Sequence, residues 1–214
     1  MHLNKLKKVL NITFSIVCLS IPSFLFAQIK TSEITTQAAT EKILMIPLDW
    51  SWKLETTVFT PPGKGPFPLA IINHGKALGN PRNQGRYRPI YAIQSLLKKG
   101  YVVVLPMRAG FSKSDGIYYQ NGCEIIKDGY NQAESIEAAV QYFSQQDYIN
   151  PNQIILIGHS YGGFASIAYG ANYPTSKIKG VINFSGGLKK TTGGCIWDLA
   201  LNQAFKDFGK HSHT

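Results

Sequence analysis

Six consecutive residues, Gly158 to Gly163, combine a nucleophile with a backbone able to present it to a substrate. They read Gly-His-Ser-Tyr-Gly-Gly and fit the pattern G-x-S-x-G, with Ser160 at the centre. The apolar run Ile154–Ile157 predicts a buried strand before them, and a helical pattern begins at Phe164. A glycine-flanked serine between strand and helix projects its hydroxyl above the end of a sheet. The pattern therefore predicts acyl transfer through Ser160; the alternative is a glycine-rich turn without chemistry.

A serine hydroxyl needs a general base to take its proton, and that base is oriented by an acid. Two histidines, His74 and His159, lie close to motifs. Because His159 directly precedes Ser160, the turn points its side chain away from the hydroxyl, and we expect it to pack in the interior. We expect His74 to have a structural role in the loop after a predicted strand. Neither histidine is assigned as the base.

Composition narrows the class of protein. The chain has 214 residues, enough for one domain with a sizeable core, and a formal net charge of +10. Its Lys and Arg residues are scattered, which argues against nucleic acid as a partner. No His or Cys cluster has the spacing of a metal site, and no glycine loop fits a nucleotide-binding pattern, so we expect no metal and no cofactor. A small-molecule or short acyl substrate is the expected partner.

The first 27 residues differ from the rest and predict a secretory signal peptide. Lys5–Lys8 forms a positive segment, Val9–Phe26 is largely apolar, and the small residue Ala27 precedes the expected cleavage point. The alternative is a membrane anchor, but several polar residues interrupt the apolar run and make it a weak permanent span. We therefore expect export to a periplasm or the cell exterior, with residues 28–41 as a lead-in.

Export changes the interpretation of the cysteines. Removal of the signal peptide leaves Cys123 and Cys195, an even number in an oxidising compartment. Each follows the C-terminal end of a candidate strand, so both would lie on the same rim of the sheet. We expect a disulfide between them; the alternative is two unrelated buried thiols.

Hydrophobic patterning from Lys42 onward predicts an α/β domain over residues 42–214. Alternation over Trp50–Val58 predicts one buried face, with Trp50, Trp52, Leu54, Thr56 and Val58, and one polar face, with Ser51, Lys53, Glu55 and Thr57. The six predicted strands are Ile43–Leu48, Trp50–Val58, Leu69–Ile72, Tyr101–Leu105, Ile154–Ile157 and Ile178–Phe184. The predicted helices are Arg88–Lys99, Asp128–Gln146, one beginning at Phe164, and Ile196–Phe208. An antiparallel hairpin followed by strand–helix units predicts a mostly parallel sheet with helices on both faces.

Three stretches, Pro68–Gly75, Met107–Gly116 and Gly158–Gly163, together resemble the α/β-hydrolase superfamily. The likeness runs from Lys42 to Gly187 and is closest to dienelactone-hydrolase-like and prolyl-oligopeptidase-like serine hydrolases. It implies the α/β-hydrolase fold and cleavage of ester or amide bonds. Dienelactone hydrolases use a cysteine nucleophile, so the serine here favours esterase-like chemistry.

The resemblance also implies roles for individual residues. Ser160 would attack the acyl carbon, and the backbone N–H of Tyr161 would be one oxyanion donor. The second donor would be the N–H of Gly75 or Lys76, with the lysine side chain in solvent. Arg108 would shape the neighbouring loop.

The resemblance leaves the acid and the base of the catalytic triad without a clear candidate. In the superfamily the order is Ser, then Asp or Glu, then His, each on a separate strand end. Asp198 or Asp207 followed by His211 or His213 satisfies the order, but both aspartates lie on a predicted helix. We therefore expect a chain truncated before the triad acid and histidine, with the last strands missing and the edge at Ile178–Phe184 uncovered. The alternatives are a non-catalytic binding protein or inactive fragment of the same fold, and an acyltransferase.

Overall fold

A computed structural model describes residues 39–120, 122–173, 177–188 and 195–212, which belong to one unit spanning Thr36–Thr214. The predicted signal peptide at 1–27, most of the lead-in and His213 lie outside the described residues. None of the helices in the described ranges is both long and apolar enough to cross a bilayer.

In the described part of the chain six strands form one sheet, as the patterning predicts. They are β1 (Thr40–Pro47), β2 (Lys53–Thr60), β3 (Phe67–Asn73), β4 (Val102–Pro106), β5 (Ile149–His159) and β6 (Ile178–Phe184). Their order across the sheet is β1-β2-β4-β3-β5-β6. The pairs β1–β2 and β2–β4 are antiparallel, whereas β4–β3, β3–β5 and β5–β6 are parallel. The predicted fold class, a mostly parallel sheet with an N-terminal antiparallel hairpin, is confirmed.

Across the described ranges, four α-helices and one short 3-10 turn connect and cover the strands. They are the 3-10 turn Pro81–Asn83, α1 (Ile90–Lys98), α2 (Ile125–Ser144), α3 (Tyr161–Asn172) and α4 (Trp197–His211). Alternate strand residues point to opposite faces. On β3, Leu69 packs in the cluster that includes α2 and α3, whereas Ala70 packs with Ile93 of α1. Continuous apolar runs are therefore needed, because both faces of the central strands are covered.

The prediction of a polar, exposed face on β2 is wrong. Glu55 and Thr57 are only 5% and 1% exposed, because side chains and loops cover that face. A Glu55 carboxylate oxygen accepts from the Lys113 N–H at 3.3 Å, and the Thr57 hydroxyl accepts from Arg86 at 3.0 Å. Trp50, expected on the buried face, is 96% exposed in the turn between β1 and β2.

The strand β6 lies at one edge of the sheet and pairs, among the described residues, only with β5. Its side chains Ile182 and Phe184 are 44% and 57% exposed. An exposed apolar edge strand offers unpaired backbone groups to another strand. The uncovered edge expected from the sequence is therefore present in the described part of the fold.

A disulfide joins Cys123 to Cys195, with their Cα atoms 5.9 Å apart, as predicted. Each cysteine lies two residues before a helix, Cys123 before α2 and Cys195 before α4. The bond therefore fixes the start of α4 against the start of α2, while Phe208 packs near its other end, where it contacts Phe164 of α3.

Loss of this bond should destabilise the domain. The cysteines are 72 residues apart in sequence, and closing a loop of that length stabilises a fold by up to about 4 kcal/mol. Urea unfolding of the double variant Cys123→Ala/Cys195→Ala should show a free energy of unfolding lower by about 2–4 kcal/mol. A reductant should destabilise the wild-type protein to a similar extent and leave the double variant unchanged. Equal stability of all samples would contradict the expectation.

Candidate active site

Ser160 occupies a strained turn between the last residue of β5, His159, and the first residue of α3, Tyr161. Its φ of 53° and ψ of −123° place a non-glycine residue where side chains rarely occur. Such a conformation costs on the order of 1–3 kcal/mol and persists only where the surroundings enforce it. Here the Ser160 N–H donates to the Phe184 carbonyl at 2.9 Å, and the Ser160 carbonyl accepts from Gly187 at 3.2 Å. The end of β6 therefore helps to hold the turn.

Two glycines of the motif allow α3 to approach the sheet. A Cβ placed on Gly158 would collide with the backbone of Gly162, and one on Gly162 would collide with the carbonyl group of Asn73. No side chain fits at either position without moving the backbone. These glycines therefore set how close the start of α3 lies to the ends of β3 and β5.

The loop after β3 reaches the nucleophile. A Cβ on Gly75 would lie 3.2 Å from the Ser160 Cβ, so the Gly75 backbone passes directly beside the serine. Tyr161 is the first residue of α3, and its N–H has no acceptor within the helix. Lys76, Ser160 and Tyr161 line the same cavity of about 140 Å³, the inner cavity. The arrangement places both proposed oxyanion-donor segments at the serine.

Lys76 differs from the expectation in one respect. Its ammonium group does not extend freely into solvent but donates to the carbonyls of Ala77 at 3.1 Å and Gly79 at 3.0 Å. It also lies 5.4 Å from the ring centre of Tyr118. The side chain thus folds back and closes the loop, which orders the backbone that carries the Lys76 N–H.

His74 is a buried support of this loop. Its Nδ1 lies 2.7 Å from the Gly75 carbonyl and its Nε2 accepts from the Arg108 N–H at 3.0 Å, which requires the proton to be on Nδ1. Burial, with a further contribution from the Arg108 charge, holds the pKa of His74 well below its ordinary value. Both ring nitrogens are engaged in this neutral form, so His74 fixes the Gly75 carbonyl and leaves no free nitrogen for a base.

Arg108 ties the neighbouring loop to the same support. Its Nη1 donates to the His74 carbonyl at 2.7 Å and its Nε to Gln132 at 2.8 Å. Burial lowers the pKa of Arg108 to about 10, which leaves the guanidinium charged at neutral pH. Its charge lies 5.3 Å from the ring centre of Tyr161, beneath the nucleophile turn. Arg108 thereby connects α2, the loop that begins at His74 and the start of α3.

The expectation that His159 packs in the interior is wrong. The residue is exposed, because it ends β5 beyond the cover of the helices, and its ring lies nearly parallel to Tyr87 at 6.5 Å. With Ser160, Gly75 and Arg86 it lines a second cavity of about 350 Å³, the outer cavity. The hydrogen bonds found among the described residues include none between the His159 ring and Ser160.

The residues that could complete a triad are elsewhere. Asp198, Asp207 and His211 all lie on α4 and line neither the inner nor the outer cavity. The Nδ1 atom of His211 lies 2.8 Å from the Asp207 carbonyl, and the Asp207 carboxylate accepts from Tyr130 at 3.1 Å. The structure therefore brings Asp207 and His211 to each other but not to Ser160, and His213 lies outside the described residues.

Several residues at the site carry no signal in the sequence. Tyr118, Gln120 and Leu188 line the inner cavity, although none belongs to a motif. Burial, with a smaller contribution from Asp128, raises the pKa of Tyr118 to about 12, so its hydroxyl is protonated at neutral pH. These contacts join residues far apart in the chain, which periodicity and motif spacing do not predict.

Comparison with solved structures finds the same fold in several hydrolases. Dipeptidyl peptidase 4 of Porphyromonas gingivalis has a TM-score of 0.58 and 17% identity over 82% of this chain and 25% of its own. The acylaminoacyl peptidase of Pyrococcus horikoshii has a TM-score of 0.55 and 18% identity over 70% of this chain and 23% of its own. An esterase of Pyrococcus furiosus has a TM-score of 0.53 and 20% identity over 69% of this chain and 52% of its own.

This chain thus spans between 23% and 52% of the length of these three proteins. Identities this low show a shared fold alone. No curated protein sequence matches the chain. The sequence profile of the alpha/beta hydrolase fold matches residues 71–210, well over half of the chain. With the sheet order and the serine turn described above, this match shows that the chain belongs to the alpha/beta hydrolase fold family.

Proposed function

We propose that this protein is a serine hydrolase that cleaves ester or amide bonds through an acyl-enzyme on Ser160. The observation that carries the proposal is the strained Ser160 conformation at the mouth of a cavity shared with Tyr161 and Lys76. Strain of this kind is retained where it serves a function, and a serine held above two backbone N–H groups suits acyl transfer.

The proposed reaction begins with attack of the Ser160 Oγ on a carbonyl carbon, while a general base takes the hydroxyl proton. The carbonyl oxygen becomes an oxyanion, stabilised by the N–H groups of Tyr161 and of Lys76 or Gly75. Collapse expels the alcohol or amine, which receives the proton, and water then hydrolyses the acyl-enzyme by the same route. The inner cavity, with Leu78 and Leu188 on its walls, suits a short acyl group, and the outer cavity suits the leaving group.

We further propose that the acid and the base lie outside the described residues, on a segment that pairs with β6. Two observations support this. The lining of the inner and outer cavities contains no Asp or Glu among the described residues, and its one histidine is His159. The Phe184 carbonyl at the end of β6 accepts directly from Ser160, so a parallel strand beside β6 would end close to the nucleophile.

Export is part of the proposal. The Cys123–Cys195 disulfide is the kind of bond that persists in an oxidising compartment, and the first 27 residues have the layout of a signal peptide. Fractionation of cells producing the tagged chain tests this: the protein should be found shortened, outside the cytoplasm and with its cysteines oxidised. Full-length protein in the cytoplasmic fraction would contradict it.

A second candidate is a binding protein of the same fold without catalysis. The absence of a carboxylate from the described lining of the two cavities favours it, because a histidine base requires an orienting acid. A saturable ligand together with an unreactive Ser160 would distinguish this candidate from the hydrolase. An acyltransferase would share the Ser160 chemistry and differ only in its acceptor.

Covalent labelling tests the nucleophile. A fluorophosphonate should modify the purified chain at Ser160, slowly because no base is in place, and intact-protein mass spectrometry should locate the adduct. Ser160→Ala should abolish labelling. Ser185→Ala is the matched control, since Ser185 is an exposed serine with a φ of 50° at the end of β6, and labelling should persist. Labelling that survives in Ser160→Ala would overturn the assignment.

A second experiment tests where the base lies. If the described part of the chain lacks it, added imidazole should accelerate fluorophosphonate labelling of Ser160 by acting as the base. The variants Asp207→Asn and His211→Ala should then label at the wild-type rate. A loss of about 100-fold or more in either variant, the low end of what general base catalysis contributes, would place the catalytic pair on α4 and contradict the proposal.

A further inference from the structure

A cavity that does not include Ser160 lies elsewhere in the described part of the chain. It has a volume of about 500 Å³, within the range of small-molecule sites, and lies between α2 and the turn that joins β1 to β2. Its wall on the side of Ser160 is the segment Ile117–Gln120, in which alternate residues face opposite ways. Ile117 and Tyr119 line this cavity, whereas Tyr118 and Gln120 line the inner cavity.

Aromatic rings form much of this cavity, which we call the aromatic cavity. Its four rings belong to Trp52, Tyr119, Tyr142 and Tyr173. Trp52 is held in place: a Cβ on Gly116 would lie 3.0 Å from its ring, and the neighbouring Lys53 N–H donates to Asp115 at 2.9 Å. Tyr173 stacks on the buried Tyr169 with ring centres 5.0 Å apart. Two of the four rings therefore have neighbours that limit their movement.

The charges of the aromatic cavity have one sign. Among the described residues, Asp49, Glu134 and Glu137 line it and no Lys or Arg does, although the chain carries a net charge of +10. Asp49 already accepts from the Ser51 and Trp52 N–H groups, both at 2.7 Å. Glu137 accepts from the Tyr169 hydroxyl at 2.8 Å.

Glu134 differs from the other two carboxylates. It is an exposed residue that makes none of the hydrogen bonds or ion pairs found among the described residues, and partial desolvation of its carboxyl group raises its pKa. Its charge also acts on the neighbouring hydroxyl of Tyr173. The aromatic cavity therefore contains an uncompensated negative charge beside a tyrosine ring.

The geometry favours an organic cation over a metal ion. No three His, Cys, Asp or Glu side chains within the described ranges converge as a metal site requires. Aromatic faces attract ammonium and guanidinium groups, most strongly where the cation also loses water, and Trp is the best of the rings. Aromatic walls with a neighbouring carboxylate are the lining that binds such groups.

We propose that the aromatic cavity binds an organic ammonium ion, whose charge is balanced by Glu134 and whose alkyl groups contact the rings of Trp52, Tyr142 and Tyr173. The site is independent of Ser160, because the segment Ile117–Gln120 separates it from the inner cavity.

Choline and its uncharged isostere 3,3-dimethyl-1-butanol test the proposal, since they have the same shape and differ in charge. Titration of the purified chain, followed by two-dimensional NMR, should show saturable choline binding with shifts at Trp52 and Tyr142. Choline should bind at least about fivefold more tightly than the alcohol, as expected when a cation–π contact and a carboxylate act together. Equal affinity for the two compounds, or no binding of choline, would overturn the proposal.

Two variants locate the site. Glu134→Gln keeps the shape of the side chain and removes its charge. It should lower the affinity for choline by about threefold or more without changing the affinity for the alcohol. Glu124→Gln is the matched control, because Glu124 is an exposed carboxylate, paired with Lys127 at 3.4 Å, that does not line the cavity. Choline affinity unchanged in Glu134→Gln, or reduced equally in the control, would contradict the assignment. Fluorophosphonate labelling of Ser160 should be the same in both variants, so a failure here is distinct from a failure of the serine assignment.

Discussion

The close approach of α3 to the ends of β3 and β5 is the constraint on which the serine site depends. At this junction Gly158 lies against Gly162, and Gly162 lies against the Asn73 carbonyl, with no room for a Cβ. The helix can begin this close to the sheet only if the residue between takes a strained conformation, and that residue is Ser160. The same approach brings Gly75 beside the serine, so one packing requirement sets both the Ser160 conformation and the position of the adjacent Gly75–Lys76 backbone.

The buried guanidinium group of Arg108 stabilises this junction. Removing a guanidinium from water is costly unless hydrogen bonds and aromatic faces replace the solvent. Arg108 meets much of that requirement through His74 and Gln132 and through the rings of Phe111 and Tyr161, at 5.4 and 5.3 Å, although its Nη2 atom is buried without a hydrogen-bond partner among the described residues. Because His74 in turn holds the Gly75 carbonyl, displacement of Arg108 would alter the backbone at Gly75 and Lys76. The two histidines near motifs thus differ: both ring nitrogens of the buried His74 make hydrogen bonds that support the loop, whereas His159 is exposed.

Helix α4 shows why residue type and chain order are weak evidence for a catalytic group. Asp207 followed by His211 has the chain order of a triad acid and base. The two residues are four apart on one helix, however, and therefore form a local pair on its surface. The apolar side of α4, including Phe205 and Phe208, packs against Phe164, and the disulfide fixes its start. The described contacts of α4 are those of a structural helix. The serine site meets the end of β6 instead, through the Phe184 carbonyl.

Local patterns in the sequence determined the elements and the serine turn. Continuous apolar runs predicted the central strands β3, β4 and β5, because both faces of a central strand are buried, and alternation predicted β2. The glycines around Ser160 predicted the tight turn, because no other residue fits there. Periodicity did not predict that Glu55 and Thr57 are buried, since that depends on Lys113 and Arg86 folding over β2. Tertiary structure alone decided the exposure of His159, the engagement of His74 and the enclosure of the aromatic cavity by α2 and the segment Ile117–Gln120. Each of these depends on contacts between residues distant in the chain, and side-chain type and spacing carry no information about such contacts.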